Sequence, residues 1–372
     1  MKAKKLLALF GATAMIVVAC SSSATSAPSA GASASAAAGG SAAAGGCTVG
    51  VSWNNYQEER WAKWDEPAIK KALEAGGAKY ISNDAKSSAE TQASNVENLI
   101  SQGANVVIIL AQDGTAIKPS VAAAISNGVP VIAYDRLIED PGALYITFDN
   151  KLVGKMQAEA LLKVKDSGNF VVIKGNKADA NADFLRAGMV EAGVPPVGQS
   201  TDKLKNVGET YTDNWDPKNA QTEMEQFLTA NNNKIDIAFV ENDGMAGGAV
   251  AALTAQGLQG KVPVSGQDGD AAALNRVALG TQTVDVWKDA RLLGQAAGEA
   301  ALALCKDKNI KNAKSSLAPT VQFASPGGND MTSIFLTPQP ITKDNLQVVL
   351  DAGWITKDVL CKDVPAGSVP GC

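Results

Sequence analysis

The chain has 372 residues, of which 45% are hydrophobic and 19% charged, with a formal net charge of −5 and no histidine. A mildly acidic chain without clusters of lysine and arginine argues against a nucleic-acid partner, which would need a basic patch. The lack of histidine excludes Ser–His and Cys–His nucleophile systems and removes the commonest general base.

The first twenty residues predict a bacterial lipoprotein signal. Three lysines within the first five residues precede an apolar run from Leu6 to Ala19, which is shorter than the about 20 residues that a bilayer requires and is typical of a secretory signal. The run ends in the sequence VVAC, which resembles a lipobox, so Cys20 is the expected lipidation site. The alternative is an ordinary signal peptide with a chance cysteine. Loss of the three signal lysines would change the net charge from −5 to −8.

A tether is predicted between the signal and the folded body. Residues 21–46 are Ser, Ala and Gly apart from Thr25 and Pro28, and they cannot bury enough apolar surface to offset chain entropy. A flexible coil of this length spans about 25–30 Å. We therefore expect a secreted protein, held by a lipid anchor at the outer face of the cytoplasmic membrane or in the periplasm.

Short apolar runs alternate with amphipathic stretches through the rest of the chain, which is long enough for two domains. In chain order the sequence predicts strands at 48–53, 79–82, 106–110, 129–134, 170–173, 235–240 and 262–265. Between them it predicts helices at 60–75, 88–102, 115–127, 152–164, 182–192, 220–230 and 246–256. Such alternation indicates an α/β fold with parallel sheets, arranged as two doubly wound units.

Polar side chains follow most of the predicted strands. In open α/β sheets ligands bind at the carboxyl ends of the strands, so these residues are candidates for a ligand site. They are mostly amides and acids, which suit sugar hydroxyls, and tryptophans such as Trp61, Trp215 and Trp287 offer flat faces. Exposed loops are polar in any case, so composition alone leaves the question open. The positions are Asn54-Asn55, Gln112-Asp113, Asp135-Arg136, Lys174-Gly175-Asn176, Asn242-Asp243 and Gln267-Asp268.

An ordered series of motifs between Cys47 and about Gly353 resembles the periplasmic pentose/hexose-binding family, which includes ribose-, galactose- and xylose-binding proteins. The similarity is greatest to the D-xylose-binding members. The motifs are Glu59-Arg60-Trp61, the run from Tyr134 to Ile138, Phe148-Asp149-Asn150, the run from Thr229 to Asp236, Asn242-Asp243 with 246–249, the run from Ser265 to Asp268, and 280–283 with Lys288.

The resemblance implies a type I periplasmic-binding-protein fold, in which two Rossmann-like lobes with parallel sheets are joined by three crossovers. It places the crossovers near Asp149, near Thr283 and somewhere between Val321 and Leu336. The expected amino-terminal lobe is therefore 47–149 plus about 284–320, and the expected carboxy-terminal lobe is 150–283 plus about 321–372. The tail from Asp351 does not match the family pattern.

The resemblance also implies a sugar site in the cleft between the lobes. Carboxylates would accept charge-assisted hydrogen bonds from hydroxyls, the cationic groups would donate, and the asparagines would do both. Two tryptophans would sandwich the pyranose ring. Carried over to this sequence, the ligand-binding residues are Arg60, Trp61, Asp135, Arg136, Asn181, Trp215, Asn242, Asp268 and Lys288.

Four cysteines remain in the exported body, an oxidising setting in which two disulfides are expected. With the helix near 290–304 packed on the first lobe, Cys305 ends at the edge where Cys47 begins the first strand. Cys361 and Cys372 are separated by a short loop rich in Pro and Gly, within bonding reach. The favoured pairs are 47–305 and 361–372, and the nearest rival pairs Cys305 with Cys361.

These observations predict the solute-binding component of an ABC sugar importer, with D-xylose as first ligand and D-glucose as second. The expected partners are a monosaccharide, the permease subunits and the membrane through the lipid anchor; we expect a monomer without catalytic activity, cofactor or metal. One alternative is a receptor for another small ligand such as a quorum signal, and another is a carboxylate-dyad glycosidase. A sugar-sensing transcription regulator would carry a DNA-binding helix-turn-helix where this chain carries a signal and tether.

Overall fold

The computed structural model describes residues 46–372, so the predicted signal, Cys20 and nearly all of the predicted tether lie outside the described residues. Thirteen strands are found in this part of the chain. They are β1 Thr48–Trp53, β2 Lys79–Asp84, β3 Val106–Ile109, β4 Val131–Tyr134, β5 Ala143–Phe148, β6 Gly168–Lys174, β7 Leu204–Tyr211, β8 Ile237–Val240, β9 Ser265–Gln267, β10 Val284–Trp287, β11 Thr320–Ala324, β12 Asp330–Leu336 and β13 Gln339–Ile341.

Eleven α-helices alternate with these strands in the described residues, and none of them is both long and apolar enough to cross a membrane. A short π-helix, Trp61–Asp65, precedes the first of them. The helices are α1 Glu66–Ala75, α2 Ala89–Ser101, α3 Lys118–Ser126, α4 Asn150–Val164, α5 Ala180–Glu191, α6 Pro217–Ala230, α7 Asp243–Ala255, α8 Ala271–Leu279, α9 Ala290–Lys306, α10 Gln347–Asp351 and α11 Lys357–Leu360.

The first lobe is a seven-stranded sheet in the order β11-β12-β5-β4-β3-β1-β2, with helices on both faces. All strand pairs are parallel except β11 with β12. Helices α1 and α9 pack on one face and α2 and α3 on the other. Because both faces are covered, β3 is buried at every position, and its sequence is the uninterrupted apolar run Val106–Ile109.

The second lobe contains two three-stranded sheets, β7-β6-β8 and β13-β10-β9. An isolated parallel bridge between Ala238 and Val264 connects them. Helices α4 and α5 cover one face and α6 and α7 the other, so this lobe repeats the layering of the first. Only β13 runs antiparallel to its neighbour. The predicted α/β fold with mainly parallel sheets is therefore confirmed.

The chain passes between the lobes at places that differ from two of the expected crossovers. Strand β10 belongs to the second lobe, because it pairs with β9 and β13, so the second crossover follows Trp287 instead of lying near Thr283. Strands β11 and β12 belong to the first lobe, because β12 pairs with β5. The third crossover therefore follows Leu336, and the segment 321–336, expected in the second lobe, belongs to the first. A crossover can begin only after the last residue of a strand that is hydrogen-bonded in its sheet, so both crossovers lie further along the chain than expected.

Both favoured disulfide pairs are confirmed. Cys47 bonds to Cys305 with 5.9 Å between the Cα atoms, at the edge of the first lobe where β1 begins and α9 ends. Cys361 bonds to Cys372 with 5.4 Å between the Cα atoms, and this bond closes the carboxy-terminal end of the chain on itself. Both separations are ordinary for a disulfide.

Candidate functional site

A small cavity lies between the two lobes, at the carboxyl ends of the parallel strands. All nine predicted ligand-binding residues line it, together with three that were not predicted as site residues. Larger grooves elsewhere, such as the one between α1 and α9, lack a comparable set of buried charges. The lining residues are Glu58, Arg60, Trp61, Asp135, Arg136, Asp179, Asn181, Trp215, Asn242, Gln267, Asp268 and Lys288.

Strand ends and helix starts bring these side chains together. Asp135 directly follows β4, and Lys288 directly follows β10. Asn242 is the N-cap of α7, where its Oδ1 accepts a hydrogen bond from the Met245 amide at 3.0 Å. Asp179 caps α5 in the same way. Because the carboxyl ends of the strands in both lobes face the same cleft, residues far apart in the sequence meet there.

Three lining residues have positive backbone φ angles although none is glycine. The angles are 61° at Asp135, 56° at Trp215 and 105° at Asp268. Such conformations cost free energy for residues with a β-carbon, and they persist where the surrounding structure holds a side chain in place. Two of the three are the carboxylates that the sequence assigned to ligand binding.

Arg60 is the centre of a buried charge network. Its guanidinium bonds to both carboxylate oxygens of Asp65, at 2.8 and 3.0 Å, and lies 3.1 Å from Asp135 and 3.2 Å from Asp268. Burial opposes its charge, but the three carboxylates outweigh this and raise the pKa of Arg60 well above its usual range. Arg60 therefore stays cationic and joins a carboxylate of each lobe.

Lys288 adds a second cation to the same network. Its ammonium lies 3.3 Å from Asp268 and 3.9 Å from Asp135. Burial acts to raise the pKa of Asp135, but Lys288 and Arg60 outweigh that effect and hold it below its usual value. Asp135 is therefore ionised at neutral pH, with its oxygens available only as hydrogen-bond acceptors.

Arg136 connects the lobes on the other side of the cavity. It lies 3.2 Å from Glu58 in its own lobe and 3.0 Å from Asp179 in the second lobe, and it donates to the Ala111 carbonyl at 3.2 Å. Burial raises the pKa of Asp179 to about 6 even though Arg136 acts in the opposite direction. Arg136 therefore fixes the wall of the cavity through three contacts with the protein.

Two buried polar atoms in the wall have no hydrogen-bond partner within the described residues. They are Oε1 of Gln267 and Nε1 of Trp215, whereas Oδ2 of Asp135 is ion-paired with Arg60 at 3.1 Å. Buried polar groups in folded proteins are nearly always paired, and leaving one unpaired costs about 1–3 kcal/mol. One acceptor and one donor are thus free to bind a polar ligand.

The two asparagines differ from the expectation that both donate to and accept from a ligand. The Oδ1 of Asn181 accepts from Asn150 at 2.9 Å, and its Nδ2 donates to the Asp135 carbonyl at 3.1 Å, so both ends of the amide have protein partners. This side chain orients Asp135. The Oδ1 of Asn242 caps a helix, which leaves its Nδ2 as the group for a ligand.

Two tryptophans supply the apolar part of the wall. The Trp61 ring lies 4.3 Å from the Arg60 guanidinium carbon and also packs in the core of the first lobe. Trp215 is 4% exposed and lies against Gly175, where a β-carbon would come within 2.0 Å of the indole ring. Flat apolar faces beside buried charges suit a small ligand with hydroxyls at its edge and C–H groups on its faces.

Comparison with known sequences decides the family. The periplasmic binding protein domain profile matches residues 49–309. This chain belongs to the periplasmic binding protein family. A D-xylose-binding periplasmic protein of Escherichia coli (strain K12) is 41% identical over 300 residues, which cover 80% of this chain and 88% of the relative. A D-xylose-binding periplasmic protein of Haemophilus influenzae is 35% identical over 313 residues, covering 83% and 91%.

Among solved structures, this periplasmic binding protein is similar to a carbohydrate transporter solute binding protein from Chloroflexus aurantiacus in complex with D-glucose. The two share 28% identity with a TM-score of 0.74, and the match covers 85% of this chain and 98% of the other. The predicted type I periplasmic-binding-protein fold is thereby confirmed. The location of the cavity between the lobes is also the one that the sequence resemblance implied.

Proposed function

We propose that this periplasmic binding protein captures an aldopyranose in the interlobe cavity, D-xylose first and D-glucose second, and delivers it to the permease of an ABC importer. The observation that carries the proposal is the cavity itself, where carboxylates, cations and unpaired polar atoms from both lobes converge. The order of the two sugars follows the 41% identical D-xylose-binding relative and the similar protein solved in complex with D-glucose.

Each part of the wall has a role in this proposal. Asp135 and Asp268 accept hydrogen bonds from sugar hydroxyls, while Arg60, Lys288 and Arg136 donate to hydroxyl or ring oxygens. In the structure Arg60 and Lys288 pair with Asp268 across the cavity, at 3.2 and 3.3 Å. A hydroxyl that enters between these groups replaces a direct ion pair with two charge-assisted hydrogen bonds, so no charge is left without a partner.

Three residues outside the nine predicted ligand-binding residues extend the polar lining. Glu58 and Asp179 hold Arg136 from opposite lobes, and Gln267 offers an unpaired acceptor oxygen. Trp61 and Trp215 contact the C–H faces of the ring in this proposal. The protein acts as a monomer that binds, closes and releases its sugar without a covalent step.

Calorimetric titration of the full chain with D-xylose and D-glucose tests the proposal. Asp135→Ala and Asp268→Ala should each weaken binding by about tenfold or more, since an unpaired buried partner costs about 1–3 kcal/mol and about 1.4 kcal/mol is a decade. Asp202→Ala removes an exposed carboxylate of the second lobe and should leave affinity unchanged. Affinity within twofold of wild type in both cavity variants would place the sugar elsewhere, and release of nitrophenol from aryl glycosides would favour the glycosidase.

We also propose that the protein is tethered to the outer face of the cytoplasmic membrane through lipidated Cys20. The apolar run, the lipobox and the Ser/Ala/Gly segment support this. Cys20→Ser should move the protein from the membrane fraction to the soluble extracytoplasmic fraction, with sugar binding intact. Retention of the variant in the membrane fraction would refute the anchor.

A further inference from the structure

The carboxy-terminal tail, residues 347–372, has no part in the function described so far. It contains α10 and α11, and the Cys361–Cys372 bond closes its end. Its apolar side chains, among them Val349, Leu360 and Val369, pack with Leu274 and Val277 of α8 in one buried cluster of the second lobe. The tail is therefore an ordered part of the second lobe.

Trp354 connects the tail to the strand end that carries Asp268. Its indole Nε1 donates a hydrogen bond to the Gly269 carbonyl at 2.6 Å, and its ring meets Trp287 edge-on at 5.5 Å between centroids. Gly269 has a φ of +87°, and a β-carbon there would lie 2.4 Å from Trp287. The tail thus packs against the backbone next to a cavity carboxylate.

The same tryptophan contacts the first lobe. Its ring stacks on Trp64, which belongs to the π-helix before α1, with 4.4 Å between centroids and 22° between planes. Arg291, at the start of α9, donates to the Ala352 carbonyl of the tail at 2.9 Å. The Arg291 guanidinium also lies 5.6 Å from the Trp64 ring and 5.2 Å from the Trp354 ring.

We propose that the tail is a strap that stabilises the closed arrangement of the lobes through the stack of Trp354 on Trp64 of the other lobe. In this proposal the rotation that opens the lobes breaks the stack. A contact made only in the closed arrangement shifts the equilibrium towards closure and so slows sugar release. This inference rests on the proposed function.

Release of radiolabelled D-xylose from the full chain into excess unlabelled sugar measures the effect. Trp64→Ala should raise the dissociation rate about fivefold, equivalent to about 1 kcal/mol, which is the scale of an aromatic stack. Trp64→Phe keeps an aromatic face and should restore most of the wild-type rate. Arg291→Gln, at a partly exposed position, should raise the rate about twofold.

Two control variants separate the strap from general stability and from the cavity. Phe227→Ala truncates a partly buried aromatic on α6 of the second lobe and should lower the melting temperature without changing the dissociation rate. If Asp268→Ala loses affinity while Trp64→Ala and Arg291→Gln release D-xylose at the wild-type rate, the strap is wrong and the proposed function stands. If Asp268→Ala also binds as wild type, both the cavity assignment and the strap fail.

Discussion

Replacing Gly175 with alanine tests whether Trp215 forms a wall of the sugar site. A β-carbon at this position would lie 2.0 Å from Cζ2 and 2.1 Å from Cη2 of Trp215. The backbone of Gly175 is outside the positive-φ region, so alanine fits the local conformation and the effect is steric. Trp215, in contrast, is held in a positive-φ turn after β7 with little freedom to adapt.

The size of the effect follows from these distances. Carbon atoms in contact prefer a separation of about 3.5–4.0 Å, so the indole ring must retreat by roughly 1.5 Å. Adding atoms to a packed interior in this way lowers the free energy of unfolding by about 1–3 kcal/mol. Because Trp215 lines the cavity, we expect its displacement to change the shape of the site, so that part of that cost falls on the sugar complex. We expect D-xylose affinity to fall by about tenfold, at about 1.4 kcal/mol per decade.

Gly208→Ala is the matched control for this variant. Gly208 lies in β7 of the same sheet, and a β-carbon there would come within 2.4 Å of the Phe227 ring, which is remote from the cavity lining. Both variants should therefore lose stability in urea unfolding, whereas only Gly175→Ala should lose affinity in calorimetry. Equal affinities in the two variants, with equal losses of stability, would refute the placement of Trp215 in the site.

Two further predictions concern stability. Burial raises the pKa of Asp285 to about 8. The folded protein keeps a proton that the unfolded chain releases near pH 4, so stability should fall as pH rises from about 4 to 8. In urea unfolding Asp285→Asn should flatten this dependence and the exposed Asp344→Asn should not; an unchanged slope in the former would contradict the assignment. Serine at both Cys47 and Cys305 opens a loop of 258 residues and should cost up to about 5 kcal/mol. The melting temperature should fall with D-xylose affinity unchanged, since the bond lies at the opposite end of the strands from the cavity, and weaker binding would contradict this.

Most of the fold was predicted from apolar runs, which mark the buried strands, and from the polar residues that follow them. The strand predicted at 106–110 agrees with β3 to within one residue, because a buried parallel strand needs a continuous apolar segment and polar residues after it. The nine predicted ligand residues, which the family resemblance implied, all line one cavity, and four of them directly follow predicted strands or lie next to their ends: Asp135, Arg136, Asn242 and Asp268. The disulfide pairs followed from which ends of strands and helices share an edge.

The parts that were missed lack a local signal. Strand β11 is an edge strand without regular alternation in burial, so nothing in its sequence marks it as part of the first sheet. Asp179 has the pattern of an ordinary N-cap, and its contact with Arg136 depends on the other lobe. Gln267 is among the polar residues that follow the predicted strands, but it was not in the ligand set that the resemblance implied. Glu58 precedes the Glu59-Arg60-Trp61 motif and acts through Arg136, which is distant in sequence.

The positive φ angles of Asp135, Trp215 and Asp268 are held by the same side-chain contacts that line the cavity. Glycine would relax the backbone at each of these positions, a gain of about 1–3 kcal/mol. It would also leave the buried Arg60 and Lys288 short of a carboxylate, or remove the Trp215 ring from a packed site, at a cost of about 3–5 kcal/mol. A library of variants screened only for resistance to heat should therefore keep the wild-type residues at these three positions, so that selection for thermostability and selection for sugar binding act on them in the same direction.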